Sequence, residues 1–328
     1  MDDLQSYSPE EVIVSNLRET DRWEVEAGEQ AYAHLCELAA EIAAGFSDAP
    51  AFLSSLPEHR PPTPPLTGGL RTVTAALRPM LRELTARNSI LLCIELGRRI
   101  PTPRSLWLDF FFPGGDVEPN RSSFNRISCQ KNRYTDAAYE RFATLLPEPR
   151  AAFAHSYRSV CEDVYNGLCE YCILPLENST EGRLTSFSRL IAMYDMKIAA
   201  VCDVPVGDDR VTRFALLRRT PVMLRAPDAM PWYFEFSCTL PAPARPAPGG
   251  QDDPPAHEPP GAPDVLSAAR FCGLTLGGAD VSRGPEGSTR LHALLRVDQG
   301  NLPAFLLYLA MELPGAVPIG LYPNLSER

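Results

Sequence analysis

Five side chains able to donate or accept hydrogen bonds, Glu177-Asn178-Ser179-Thr180-Glu181, follow directly on the apolar tetrapeptide Ile173 to Leu176. The apolar run reads as a buried strand, which places the polar residues where the next helix opens. Free backbone N–H groups and the helix dipole favour an anion at such a position. The same residues also cap helices without binding anything, and spacing alone leaves both readings open. Downstream, Thr212-Arg213-Phe214 begins another strand-like stretch. Arg213 offers a guanidinium fork suited to a carboxylate, or is a solvated residue on an alternating strand.

Other reactive types give weaker signals. Cys169-Glu170-Tyr171-Cys172 is a CxxC, but no second pair at similar spacing exists to complete a zinc site. A redox pair would open a helix, whereas this one runs into the strand Cys172 to Leu176, so both thiols read as small strand-edge residues. The five histidines (34, 59, 155, 257 and 292) show no HxxxH or HxH spacing. No metal or cofactor is expected.

The elements that must position these residues fall into blocks. Residues 10–46 and 70–100 carry helical patterns, with Gly45 and Pro101-Thr102-Pro103 where stops are expected. From 126 to 220 short strands and helices alternate, which implies an α/β unit with helices over a mixed sheet. Residues 231–328 read as strand, helix, strand, strand, helix, strand, the ferredoxin-like βαββαβ order. Proline punctuates the chain at 56–66, LPEHRPPTPPL, and at 241–263, where nine prolines in twenty-three residues read as a disordered or polyproline insert. The expected division is a helical region over 1–120, an α/β unit over 121–225 and a ferredoxin-like unit over 230–328.

Composition bounds the partners. Hydrophobic residues at 45% and charged residues at 22% fit a soluble globular chain, and no apolar run is long enough for a membrane span. A net charge of -10 makes a general nucleic-acid binder a poor reading. Nine scattered cysteines behind an acidic, polar N-terminus point to reduced thiols and a cytoplasmic protein.

Three ordered segments carry a resemblance. SYRSVCEDVYNGLCEYCILPLENSTEG resembles the part of prephenate dehydratases that ends in a strand running into an ENS motif. RISCQKNRYTDAAYERF is similar to that family's opening strand, substrate loop and first helix, and DVPVGDDRVTRFALL to its return strand with a Thr-Arg-Phe signature. The C-terminal block resembles the ACT regulatory domain that follows the catalytic part. Pro263-Asp264-Val265-Leu266 falls where its ligand-binding turn begins, and Ile319-Gly320-Leu321-Tyr322-Pro323 resembles its closing strand.

The resemblance implies a periplasmic-binding-protein-like α/β unit and a lyase that converts prephenate to phenylpyruvate, carbon dioxide and water in L-phenylalanine biosynthesis. Thr212 would assist departure of the hydroxyl, Arg213 would orient a carboxylate and Phe214 would pack beside the ring. Glu177, Asn178, Ser179, Thr180 and Thr135 would bind substrate. L-Phenylalanine would act as effector at Pro263, Asp264, Val265 and Leu266, with homodimers forming through the ACT domains.

The chain also departs from the family. Its substrate loop, Lys131-Asn132-Arg133-Tyr134-Thr135, has no glycine, so backbone amides cannot approach a ligand in the same way. Only 30 positions separate Gly182 from Thr212, enough for one helix and one strand, where the family has a second lobe. The resemblance therefore carries an alternative: a non-catalytic amino-acid-sensing or scaffold protein.

Overall fold

The computed structural model describes residues 9–45, 86–100, 125–207, 209–224, 230–240, 260–284, 288–297, 301–313 and 315–326. Residues 70–85 of the second helical block, the proline stretch 56–66 and most of the insert 241–263 lie outside them. In chain order the elements are α1 (Pro9–Ala44), α2 (Ala86–Arg99), β1 (Asn125–Gln130), α3 (Arg133–Ala143), β2 (Pro149–Ala154), α4 (Tyr157–Tyr165) and β3 (Tyr171–Asn178). Then come β4 (Gly182–Arg183), α5 (Thr185–Met193), β5 (Lys197–Pro205), β6 (Val211–Arg218) and β7 (Trp232–Leu240). The chain closes with α6 (Ala262–Phe271), β8 (Thr275–Arg283), β9 (Thr289–Arg296), α7 (Leu302–Glu312) and β10 (Val317–Pro323). The class is α/β, as expected, and no described helix is long and apolar enough to cross a membrane.

One mixed sheet unites all of the strands, in the order β2-β1-β3-β6-β5-β10-β7-β9-β8, with β4 paired to β3 outside that path. Strands β2, β1 and β3 are parallel, and β6 runs antiparallel to both β3 and β5. Beyond them β10-β7-β9-β8 forms the antiparallel sheet of a βαββαβ unit. The two parts meet where β10 lies parallel to β5, with Gly320 opposite Ile198. A Cβ at Gly320 would stand 2.6 Å from the Ile198 carbonyl oxygen, closer than real side chains come. Only glycine lets the backbones approach that closely. Just past β10, Leu325 donates its N–H to Val201 O at 2.9 Å and continues along β5.

Three apolar clusters explain the helices. β3 is buried on both faces, as a central strand with helices on each side must be, and this is why its sequence runs apolar without alternation. Tyr171 and Ile173 face α3 together with Phe142, Phe214 and Leu216. Cys172, Leu174 and Leu176 face α4 and α5 together with Val160, Ile191 and Ala215. The third cluster joins β7 and β9 to all four remaining helices. α7 is apolar around its whole circumference because the sheet covers one side and α2 the other. Gly97 of α2 sits against Ala304 of α7, two small residues that let the helices come close. The described part of the 1–120 region thus covers the helical face of the C-terminal unit through Leu35, Ala39, Ile90 and Leu96.

Candidate functional site

In a sheet of this kind ligands bind outside the carboxyl ends of parallel strands, where the chain leaves in opposite directions. Here that point lies between β1 and β3. β1 continues through α3 to β2 on one side, and the next crossover, through α4, passes beyond β1 to β3. Thr135 lies in the first turn of α3, which follows β1, and Asn178 lies at the end of β3 with Ser179 and Thr180 just beyond it. Thr212 is paired across the sheet with Asn178 on one side and Val204 on the other.

The expected helix opening at Asn178 is replaced by a hairpin. Asn178 is opposite Gly182 and Glu177 opposite Arg183, so the polar run is the turn between β3 and β4. Asn178 Oδ1 accepts from the N–H groups of Thr180, at 3.0 Å, and Glu181, at 2.5 Å. Ser179 is tied to β6: its Oγ accepts from Val211 N at 3.0 Å, and its N–H donates to Val211 O at 2.9 Å. Thr180 is exposed at the tip. The following helix, α5, starts only at Thr185, behind Leu184, which makes no side-chain cap. The amides that an anion would use at Asn178 are thus closed by that residue's own side chain.

The substrate-loop segment is closed in the same manner. Asn132 caps α3, accepting at 3.0 Å from the N–H groups of both Tyr134 and Thr135. Thr135 is fully buried, and its hydroxyl has no partner among the described residues.

Arg213 is engaged by two carboxylates. Its Nε donates to Asp203 Oδ1 at 2.7 Å and its Nη2 to Asp203 Oδ2 at 3.1 Å, a two-pronged pair across β5 and β6. Nη1 stands 2.9 Å from Glu177 Oε1 on the opposite side. Burial disfavours the cation, but the hydrogen bonds and charge of Asp203, joined by Glu177, outweigh it and raise the Arg213 pKa. A bulge at Leu176 creates this arrangement, because the extra residue in β3 brings Glu177 rather than Leu176 opposite Arg213. Phe214 points to the other face and is buried with Ile127 and Phe142, away from Arg213.

Beside this pair lies a second polar group that the sequence reading does not include. Glu235, on β7, is 1% exposed. It accepts from Arg183 Nη2 at 2.6 Å and from the Tyr322 hydroxyl, and it pairs with His292 Nε2 at 2.7 Å. Burial alone would raise its pKa. The His292 hydrogen bond and the Arg183 charge, with Tyr322 adding a further hydrogen bond, prevail and hold it at about 2. Leu176, Glu177, Arg183, Arg213, Glu235 and Tyr322 together line a cleft at the junction of the two sheet halves. A single charged residue inside WYFEFSCTL is the signal that could have found it, since an unpaired carboxylate cannot stay buried among aromatics.

The expected effector residues lie elsewhere, in the first turn of α6. Asp264 Oδ2 accepts from Gly261 N at 2.8 Å and thereby closes that helix end. Val265 is fully buried in the core, Leu266 is half-buried and Pro263 is exposed. No group of metal-ligating side chains occurs among the described residues.

No family model and no curated protein matches the chain. Among solved structures it is similar to a protein described as a novel type of quorum quenching acylase, at 17% identity and a TM-score of 0.43 over 61% of this chain and 96% of that one. It is similar also to prephenate dehydratase from Streptococcus mutans, at 15% identity and 0.42 over 62% and 99%. The third is prephenate dehydratase in complex with L-Phe from Arthrobacter aurescens, at 14% identity and 0.43 over 60% and 89%.

Proposed function

We propose that this chain is a non-catalytic, amino-acid-responsive protein built on the frame of a prephenate dehydratase with an ACT domain. The observation that carries the reading is the state of Arg213. A residue that orients a substrate carboxylate needs free donors, and three of this guanidinium's five N–H groups face the protein's own Asp203 and Glu177. Withdrawing it from Asp203 would leave a partly buried carboxylate without its cation. The turn amides at Asn178 and the helix-start amides at Asn132 are likewise closed by side chains.

The ligand is an aromatic amino acid, L-phenylalanine by the resemblance of the C-terminal block, held near Pro263 to Leu266 in homodimers formed through that unit. The experiment pairs two measurements on the full chain. Millimolar L-phenylalanine raises the melting temperature, and prephenate incubated with concentrated folded protein gives no phenylpyruvate. Absence of any shift across the amino acids overturns the sensor reading, and phenylpyruvate formation overturns its non-catalytic half.

A second reading, the cofactor-free lyase, is favoured by one feature. Thr212 is in direct register with Asn178 at the end of β3, and the buried hydroxyl of Thr135 has no partner among the described residues. In that reading Thr212→Ala abolishes most of the phenylpyruvate formation, and a variant as active as the parent rules Thr212 out.

A further inference from the structure

The two polar groups at the junction form one line. Asp203 on β5 faces Arg213 on β6, which reaches Glu177 on β3. Glu177 is the register partner of Arg183 on β4. Arg183 reaches Glu235 on β7, which pairs with His292 on β9. The sign of charge alternates from Asp203 to Glu235, and the line ends in an imidazole. It crosses from the α/β half of the sheet to the ferredoxin-like half.

Backbone contact between those halves is narrow by comparison. β10 and β5 share one ladder position, Gly320 with Ile198, extended by the residues just after β10. The β3–β4 hairpin contributes no backbone pairing to the C-terminal unit, so its described polar link to that unit is the Arg183 side chain. This link is a substantial one. Glu235 is buried with three donors around it, and removing one of them leaves a charge in the interior.

From this arrangement we infer that Arg183 is a coupling residue: it transmits the conformational state of the ferredoxin-like sheet to the turn Asn178–Thr180, and the reverse. Opening the hairpin withdraws the guanidinium from Glu235 and loosens β7 and β9 together. Displacing β7 pulls on Arg183 and, through Glu177 and Arg213, on β3 and β6. A ligand that bound either half with preference for one state would bias the other by this route. The coupling is a property of the ligand-free chain and stands apart from the amino-acid reading above.

Amide hydrogen exchange on the ligand-free full chain tests it. Arg183→Met is expected to speed exchange about tenfold on both sides of the junction, at residues 179–184 and at 235–237 with 291–293. Amides 127–130 of β1, in the α/β half but off the line, keep the parental rate. Arg158→Gln, which removes an exposed guanidinium that lies off the line and pairs with Tyr194 and Glu162, leaves all three segments unchanged. Acceleration confined to the hairpin overturns the inference, because Arg183 would then act locally. Acceleration that includes β1 also overturns it, because the change would be a general loss of stability. Should Arg183→Met not fold, Glu177→Gln cuts the line one step earlier, and the same two-sided or one-sided pattern decides.

Discussion

Replacing Glu235 by glutamine keeps the side chain's shape and removes its charge, leaving Arg183 facing a neutral group. The size of the effect follows from the carboxyl group itself. Its pKa falls from 4.5 to about 2 on folding. At 1.36 kcal/mol per unit, that depression stabilises the folded chain by about 3 kcal/mol at neutral pH. A depressed carboxyl contributes fully above its unfolded value and loses the contribution as pH falls through its folded value. The difference between parent and Glu235→Gln should therefore narrow as pH falls between about 4.5 and 2. Urea unfolding of both proteins, followed across that range, measures it, and the other carboxylates titrate in both proteins and largely cancel. A gap as large at pH 3 as at pH 7 would refute the argument, and so would a gap under about 0.5 kcal/mol at neutral pH.

Other consequences can be measured in the same material. Gly320→Ala forces a Cβ against Ile198 O, and the overpacking should cost about 1–3 kcal/mol in the urea midpoint; a neutral result would mean that the junction yields easily. Asn178→Ala removes both acceptor contacts in the β3–β4 turn and should cost about 1 kcal/mol, whereas Asn178→Asp, which keeps the acceptor, should cost far less. Of the nine cysteines only Cys36 is partly exposed, while burial pushes the thiols of Cys202 and Cys272 up to about 12 and that of Cys238 to about 11. A thiol reagent should label roughly one cysteine in the native chain and the rest on unfolding, and rapid native labelling of several would contradict the packing.

The strands were legible because their apolar residues either alternate or run continuously, and burial follows the same pattern. RISCQ, CILPL, VTRFALLRR and WYFEFSCTL each fall on a strand. The turn after β3 was misread for a specific reason. An asparagine that accepts from the amides two and three residues ahead does so in a helix cap and in a hairpin turn alike, so Asn178 alone cannot separate the two. The distinguishing residue is Gly182, whose φ of +70° turns the chain back on itself instead of into a helix. Helical periodicity identified α1 and α2 but not the surface they cover, since an apolar stripe carries no address. The partners of Arg213 were hidden for a similar reason: Asp203 and Glu177 reach it only through strand register, and the bulge at Leu176 shifts that register by one.

The parallel contact between β5 and β10 bears on how this chain can be divided. A fragment ending near residue 224 would keep β6 as the partner on one side of β5 and lose β10 with the residues after it, opening the other edge of KIAAVCDVP from Ile198 to Asp203. That strand is largely apolar and carries little charge, the combination that templates pairing between copies. The C-terminal fragment would in turn bare the outer edge of β10. Each half is the edge protector of the other, so the boundary expected between residues 225 and 230 is a poor place to cut. Expression of either half alone should give aggregates or swapped dimers where the full chain stays dispersed.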